Sequence, residues 1–204
     1  MGNCILILKR SCILFILLYT YAAIRYHIGK NLGQEDLLFV LNKAFAWTAG
    51  TYFTLTLAPK IWFPKIIGYR RQFGFIGYGF GLLHLFCTIF LISPSNYPLL
   101  FNGSQLNIHG YQIITFGIIN FCCFSLPLFA SFRKFPERNI CYKFGRIGIY
   151  STIIHVTIIG IKGWFFPNEW PYFLPPITLL YVLTASGIII IRAFFKKELK
   201  PKKL

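Results

Sequence analysis

Acidic residues are nearly missing from this chain: five Asp and Glu stand against 21 Lys and Arg in 204 residues. Charged residues of both signs make up only 13 %, about half of what a water-soluble domain carries, which excludes an ordinary soluble fold. No carboxylate falls inside the long apolar runs, which argues against a proton or metal transport path, since such relays commonly use Asp or Glu. Six cysteines occur without a Cys-x-x-Cys pair, so small apolar packing is a better reading than a disulfide or metal framework. No glycine-rich phosphate loop follows a strand pattern; the glycines of "GFIGYGFG" sit in an apolar helix and cannot cradle a pyrophosphate. Internal repeats and low-complexity tracts are also absent.

What fills the chain is hydrocarbon. Apolar residues make up 56 %, gathered into six segments that approach or reach the length needed to cross about 30 Å of bilayer core. They run approximately Ser11–Tyr26, Leu38–Ala58, Phe73–Ser93, Tyr111–Phe132, Ile147–Trp164 and Tyr172–Phe194. The second is the weakest, because Asn42 and Lys43 near its start read as a membrane edge. The expected fold is an all-α membrane protein, a six-transmembrane helix bundle forming one domain over residues 1–204. A removed signal peptide is the lesser reading of the first segment, since its Ala22-Ala23 site is followed by bulky Ile24.

Alternate connections hold 17 of the 21 basic residues. By the positive-inside rule this places both termini in the cytoplasm, as a multi-pass protein of a plasma or inner membrane. The basic excess therefore reports topology and predicts no nucleic-acid partner. Asn102-Gly103-Ser104 is a glycosylation sequon in an expected outer loop.

Two of the four histidines, His27 and His109, fall at expected outer edges. The other two, His84 and His155, fall inside the third and fifth segments, which enter from the same side. His84 precedes Ser93 by nine residues and His155 precedes Lys162 by seven, depths of about 13 and 10 Å at about 1.5 Å per residue. Two imidazoles at one level can ligate opposite faces of a haem iron, which would make each one tolerable in lipid. Gly77 and Gly81 share a helical face with His84, and Gly148 shares one with His155; a flat macrocycle can lie against such bare surfaces. The same spacing also suits close helix packing, and a membrane histidine can be a hydrogen-bonded packing or relay residue. Spacing leaves these readings open.

The stretch "YRRQFGFIGYGFGLLHLF" resembles the third transmembrane segment of the STEAP metalloreductases and of the wider ferric reductase-like transmembrane family. The basic pair Arg70-Arg71, then Gln72, Gly74 and the haem-ligating position His84, keep that family's spacing. "YKFGRIGIYSTIIHVTIIGIKGW" is similar to the fifth segment, through Gly145, His155 and Gly160. "SLP" at Ser125–Pro127 and "YFLPP" at Tyr172–Pro176 match further landmarks, and the likeness runs from about Lys43 to Leu183.

The resemblance implies one haem b with His84 and His155 as axial ligands. The two-haem members carry two histidines on each helix; this chain has one. It also implies an FAD or quinone site on the inner side at Arg70, Arg71, Gln72 and Lys143, positions that equally suit ordinary inner-face anchors. The expected function is a transmembrane b-type haem oxidoreductase. It would take electrons from an inner flavin or quinol donor and pass them to an outer acceptor, by expectation a ferric or cupric ion. With only short stretches flanking the six segments, a separate reductase or quinol partner is expected. On the outer side, His27, His109, Glu35, Asp36 and Glu169 are acceptor-site candidates. Two alternatives stand: a non-catalytic haem subunit serving a separate redox protein, as in the membrane subunit of periplasmic methionine-sulfoxide reductase, and a His-lined metal or proton transporter. A homo-oligomer is compatible with each.

Overall fold

Each apolar segment becomes a helix, and the ends shift where polar residues continue the turn or proline delays it. The computed structural model describes residues 2–28, 36–58, 69–132 and 138–198; Glu35 and the Asp36 side chain lie outside the described part. The helices are α1 (Gly2–Ala22), α2 (Asp36–Leu55), α3 (Arg70–Leu91), α4 (Ile108–Phe132), α5 (Arg138–Trp164) and α6 (Ile177–Glu198). α1 continues as a π-helical turn, Ala23–His27. α5 starts nine residues before the expected Ile147, because "RNICYKFGR" is polar enough to leave the hydrocarbon yet still propagates a helix. α6 starts later than expected, since Pro175-Pro176 cannot sit in a helix interior. Before it, Tyr172 and Phe173 adopt positive φ values of 53° and 56°. A small hairpin, unforeseen from sequence, joins β1 (Phe101–Asn102) to β2 (Gln105–Leu106), with Gly103 at φ +63° in its turn.

Among the described residues, four helical stretches are long and apolar enough to cross a membrane: Arg70–Leu91, Ile108–Phe132, Ile140–Trp164 and Pro171–Phe194. Their outward faces carry large apolar side chains such as Phe86, Ile89 and Phe90 on α3, and Phe129 and Phe132 on α4. Such faces point to a lipid bilayer as the surroundings.

Two intimate pairs organise the bundle. α2 packs along α3 and α4 along α5, whereas contact between the pairs is sparse. Gly77 of α3 is what lets the first pair close, since a Cβ there would come within 3.1 Å of the Phe53 ring and 3.2 Å of Tyr52. Gly148 of α5 does the same for the second, where a Cβ would meet the Phe124 ring at 2.9 Å. α1 lies on α2, with Phe15 in a three-ring cluster with Phe45 and Phe80, at 5.1 and 5.4 Å between centroids. α6 packs on α5 and α2. The pairs meet in a buried cluster of Ala49, Phe53, Leu57 and Ile149. Between that cluster and the hairpin end, the space separating them is open.

Candidate functional site

The open space is a cavity of about 860 Å³ walled by α2 to α6 and by the connection that precedes the hairpin. Its walls are mainly apolar, its size is that of a site for a large organic cofactor, and both His84 and His155 line it. Each histidine comes from a different pair and is tied within that pair through the same ring atom.

His84 Nδ1 lies 2.5 Å from Asn42 Oδ1 on α2. Asn42 is 1 % exposed, so its amide must find partners inside the protein. The orientation of that amide follows from Thr88. The Thr88 hydroxyl donates to its own helix, to the His84 carbonyl at 2.8 Å, and this takes its only proton in preference to the 3.3 Å contact with Asn42 Oδ1. Thr88 Oγ1 therefore accepts from Asn42 Nδ2 at 3.2 Å, and the same amide nitrogen reaches the Tyr97 hydroxyl at 3.2 Å. With the nitrogen side committed, Oδ1 faces His84 as an acceptor, and the imidazole proton sits on Nδ1. Tyr97, in the connection after α3, has its phenol pushed above the ordinary range by burial, against the Asn42 bond that pulls it down. It stays neutral and holds the amide in place.

His155 Nδ1 lies 2.9 Å from the backbone carbonyl of Ile113 on α4. A carbonyl only accepts, so Nδ1 again carries the proton. The ring reaches that carbonyl because Gly117 is next to it, one turn along α4. A Cβ at Gly117 would stand 3.6 Å from His155 Cε1, and any longer side chain would occupy the ring's place. In both rings the lone pair is thus left on Nε2. An Nδ1–H fixed by a carbonyl or amide oxygen is the arrangement that orients an imidazole ligand and raises its basicity. Two such donors, from different helix pairs and lining one mainly apolar cavity, fit axial ligation of a haem iron.

The predicted glycines divide. Gly81 lines the cavity. Gly77 and Gly148 do not; they face Tyr52 with Phe53, and Phe124, within their own pairs. Their spacing from the histidines serves helix closure.

At the opposite end of the bundle a second cavity of about 360 Å³ is lined by Arg70, Arg71 and Arg146, with Gly74 and Gly145 among the bare positions. Arg71 donates to the Ser131 carbonyl at 2.6 Å and Arg70 to the Ala58 carbonyl at 2.7 Å, while the buried Nε of Arg70 has no partner. Gln72 and Lys143, expected here, are not in its lining. Phe53 and Phe124 line both cavities, with parallel rings 3.7 Å apart at 2°. They form the partition between the two spaces.

Other candidates stay apart. His109 lies on the cavity rim, His27 is exposed beyond α1, and Glu169 is exposed in the turn before α6. Among the described residues no group of three or more His, Cys, Asp or Glu side chains is placed to hold a metal ion. Sequence reasoning missed Asn42, Gly117, Phe53, Phe124 and Arg146. Asn42 had a signal, a costly amide in an apolar run; the structure buries it against His84. No protein-family model and no curated protein matches this sequence.

Proposed function

We propose that the chain is a six-span membrane haem protein, both termini cytoplasmic, with one b-type haem between His84 and His155. Its function is to take electrons from a flavin or quinol donor on the arginine side and deliver them to a ferric or cupric acceptor on the hairpin side. The observation that carries this reading is the matched pair of imidazoles, each pinned through Nδ1 by its own helix pair with Nε2 left for a common cavity. The likeness of the segments around His84 and His155 to ferric reductase-like proteins supports it, as does the one-sided distribution of basic residues. A bound haem supplies reversible one-electron chemistry between ferric and ferrous iron.

The protein's own residues do the rest. Asn42 and the Ile113 carbonyl keep both ligand rings in one tautomer and one orientation. Apolar walls exclude water, which favours low charge at the centre and tunes its potential. On the arginine side, the guanidinium groups of Arg70, Arg71 and Arg146 suit the phosphates of a flavin nucleotide or the polar head of a quinol. The Phe53–Phe124 partition would put packed aromatic rings, rather than water, between a donor held in the arginine cavity and a haem held in the larger one.

A second reading, a proton relay through His84, draws on the continuous His84–Asn42–Tyr97 hydrogen bonds. It is the weaker one, because an amide and a neutral phenol hold a proton in place better than they hand it on. A reduced-minus-oxidised visible spectrum of the purified full chain tests the choice. The haem reading expects a low-spin b-type difference spectrum that disappears in His84→Ala and in His155→Ala. A colourless wild-type protein that acidifies vesicles would sink it in favour of the relay.

A further inference from the structure

We propose that the large cavity takes its occupant sideways from the bilayer, through an aliphatic-lipped opening between α3 and α4; that the occupant is a haem rests on the reading above.

The seams between neighbouring helices differ in how they are closed along the cavity. Asn42 closes the α2/α3 seam against His84 and Thr88, and His155 closes the α4/α5 seam against Ile113 and Gly117. Tyr181 of α6 closes the seam with α2. Its ring lies 2.6 Å from where a Cβ on Gly50 would stand, and its hydroxyl is 3.4 Å from Thr54 Oγ1. Between α5 and α6, Trp164 donates to the Thr178 hydroxyl at 2.9 Å beside bare Gly160.

The α3/α4 seam is tied at its arginine half. There Arg71 donates to the Ser131 carbonyl, and the Phe75 and Phe132 rings meet at 5.3 Å between centroids. One turn on, the Tyr78 hydroxyl is 2.8 Å from Ser125 Oγ, and its ring is 5.8 Å from that of Phe121. From Tyr78 to the hairpin end, no hydrogen bond or ring contact joins α3 to α4 among the described residues. Leu82, Leu85 and Ile89 recur along one face of α3, and Ile114, Ile118 and Phe121 along one face of α4. All six line the cavity, yet Ile89 is 64 % and Ile118 59 % exposed. Side chains that are both cavity wall and outer surface mark a rim. The hairpin end of the opening is framed where the Leu100 carbonyl and Leu106 pack on bare Gly110.

Neither lip carries a charge or a hydroxyl, so a hydrated ion would have to shed its water to pass. Both helices are long and apolar enough to span a membrane, which sets the opening against acyl chains. A flat, lipid-soluble molecule loses little on that route, and iron protoporphyrin IX is one.

The test follows the rates of haem exchange. Full-length apoprotein in lipid nanodiscs receives hemin, with uptake read by stopped-flow Soret absorption and release by transfer to a haem scavenger. Ile118→Trp should slow uptake and release alike by about tenfold, a barrier raised by about 1.4 kcal/mol, with affinity held within about twofold. Ile118→Ala should speed both. Leu99→Trp, on the cavity lining before the hairpin, should change neither rate. Wild-type rates in both Ile118 variants overturn the opening, as does slower uptake in Leu99→Trp alone. A change of affinity without a matched change of both rates makes Ile118 part of the binding wall and also overturns it. In each of these cases a low-spin spectrum leaves the haem reading standing, whereas failure of wild type to bind hemin overturns both.

Discussion

The α2/α3 pair holds its histidine with a side chain, and the α4/α5 pair holds its histidine with the backbone. Both bonds put the proton on Nδ1, yet they distribute risk differently. The Asn42 amide depends on three further groups, Thr88, Tyr97 and the ring itself, for its orientation. The Ile113 carbonyl is present whatever residue stands there, but it is reachable only while Gly117 stays bare. One anchor is vulnerable to loss of a group and the other to gain of one. Two chemically different routes converge on the same tautomer, which is why the Nε2 lone pairs are taken as the functional feature.

Substitutions that act on one wall alone break this comparison. The largest effect is expected at Gly117. Leucine there would occupy the space of the His155 ring and lower haem affinity on the order of 100-fold, the scale of a few kcal/mol of overpacking. Gly117→Ala should stay close to wild type, because 3.6 Å is ordinary contact; a haem titration of both variants checks the pair. Next comes Asn42→Leu, which strips His84 of its acceptor and should weaken binding about 10- to 100-fold. Its resonance Raman iron–ligand signature should change while Ile113→Val, which keeps the carbonyl, changes nothing.

Packing effects are smaller and separate the two helix closures. Gly148→Ala pushes a methyl against Phe124 at 2.9 Å and should destabilise the protein by about 1–3 kcal/mol, more than Gly77→Ala, where the nearest contact is 3.1 Å. Thermal melts of the two variants in one detergent measure the order. The smallest effect is Thr88→Val. It removes the group that orients the Asn42 amide and should cost about 1 kcal/mol of haem affinity, the net worth of one hydrogen bond; no position on the α4/α5 wall should mimic it.

Which parts were legible in the sequence follows from how local their causes are. The apolar segments could be located because length and hydropathy are local properties. Their ends could not be, because α5 runs through "RNICYKFGR" and α6 waits for Pro175-Pro176. His84 and His155 stood out as imidazoles inside apolar runs, and both line one cavity. Their anchors are another matter. Asn42 and Ile113 are each 42 residues from their histidine, and nothing in either neighbourhood names the partner. Gly77 and Gly148 mislead for a related reason: a bare helix face suits a cofactor and a neighbouring helix equally, and only the position of Phe53 and Phe124 decides. The arginine-end cavity was half legible. Arg70 and Arg71 line it, whereas Gln72 and Lys143 do not and Arg146 takes a place there.

The proposed haem site requires both Nε2 atoms to bind one iron. Low-temperature electron paramagnetic resonance combined with near-infrared magnetic circular dichroism on the oxidised, purified full chain addresses it directly. A single low-spin ferric species with two imidazole nitrogens as axial ligands is the predicted result. A high-spin or singly ligated haem, or a protein that purifies and reconstitutes with none, would contradict it.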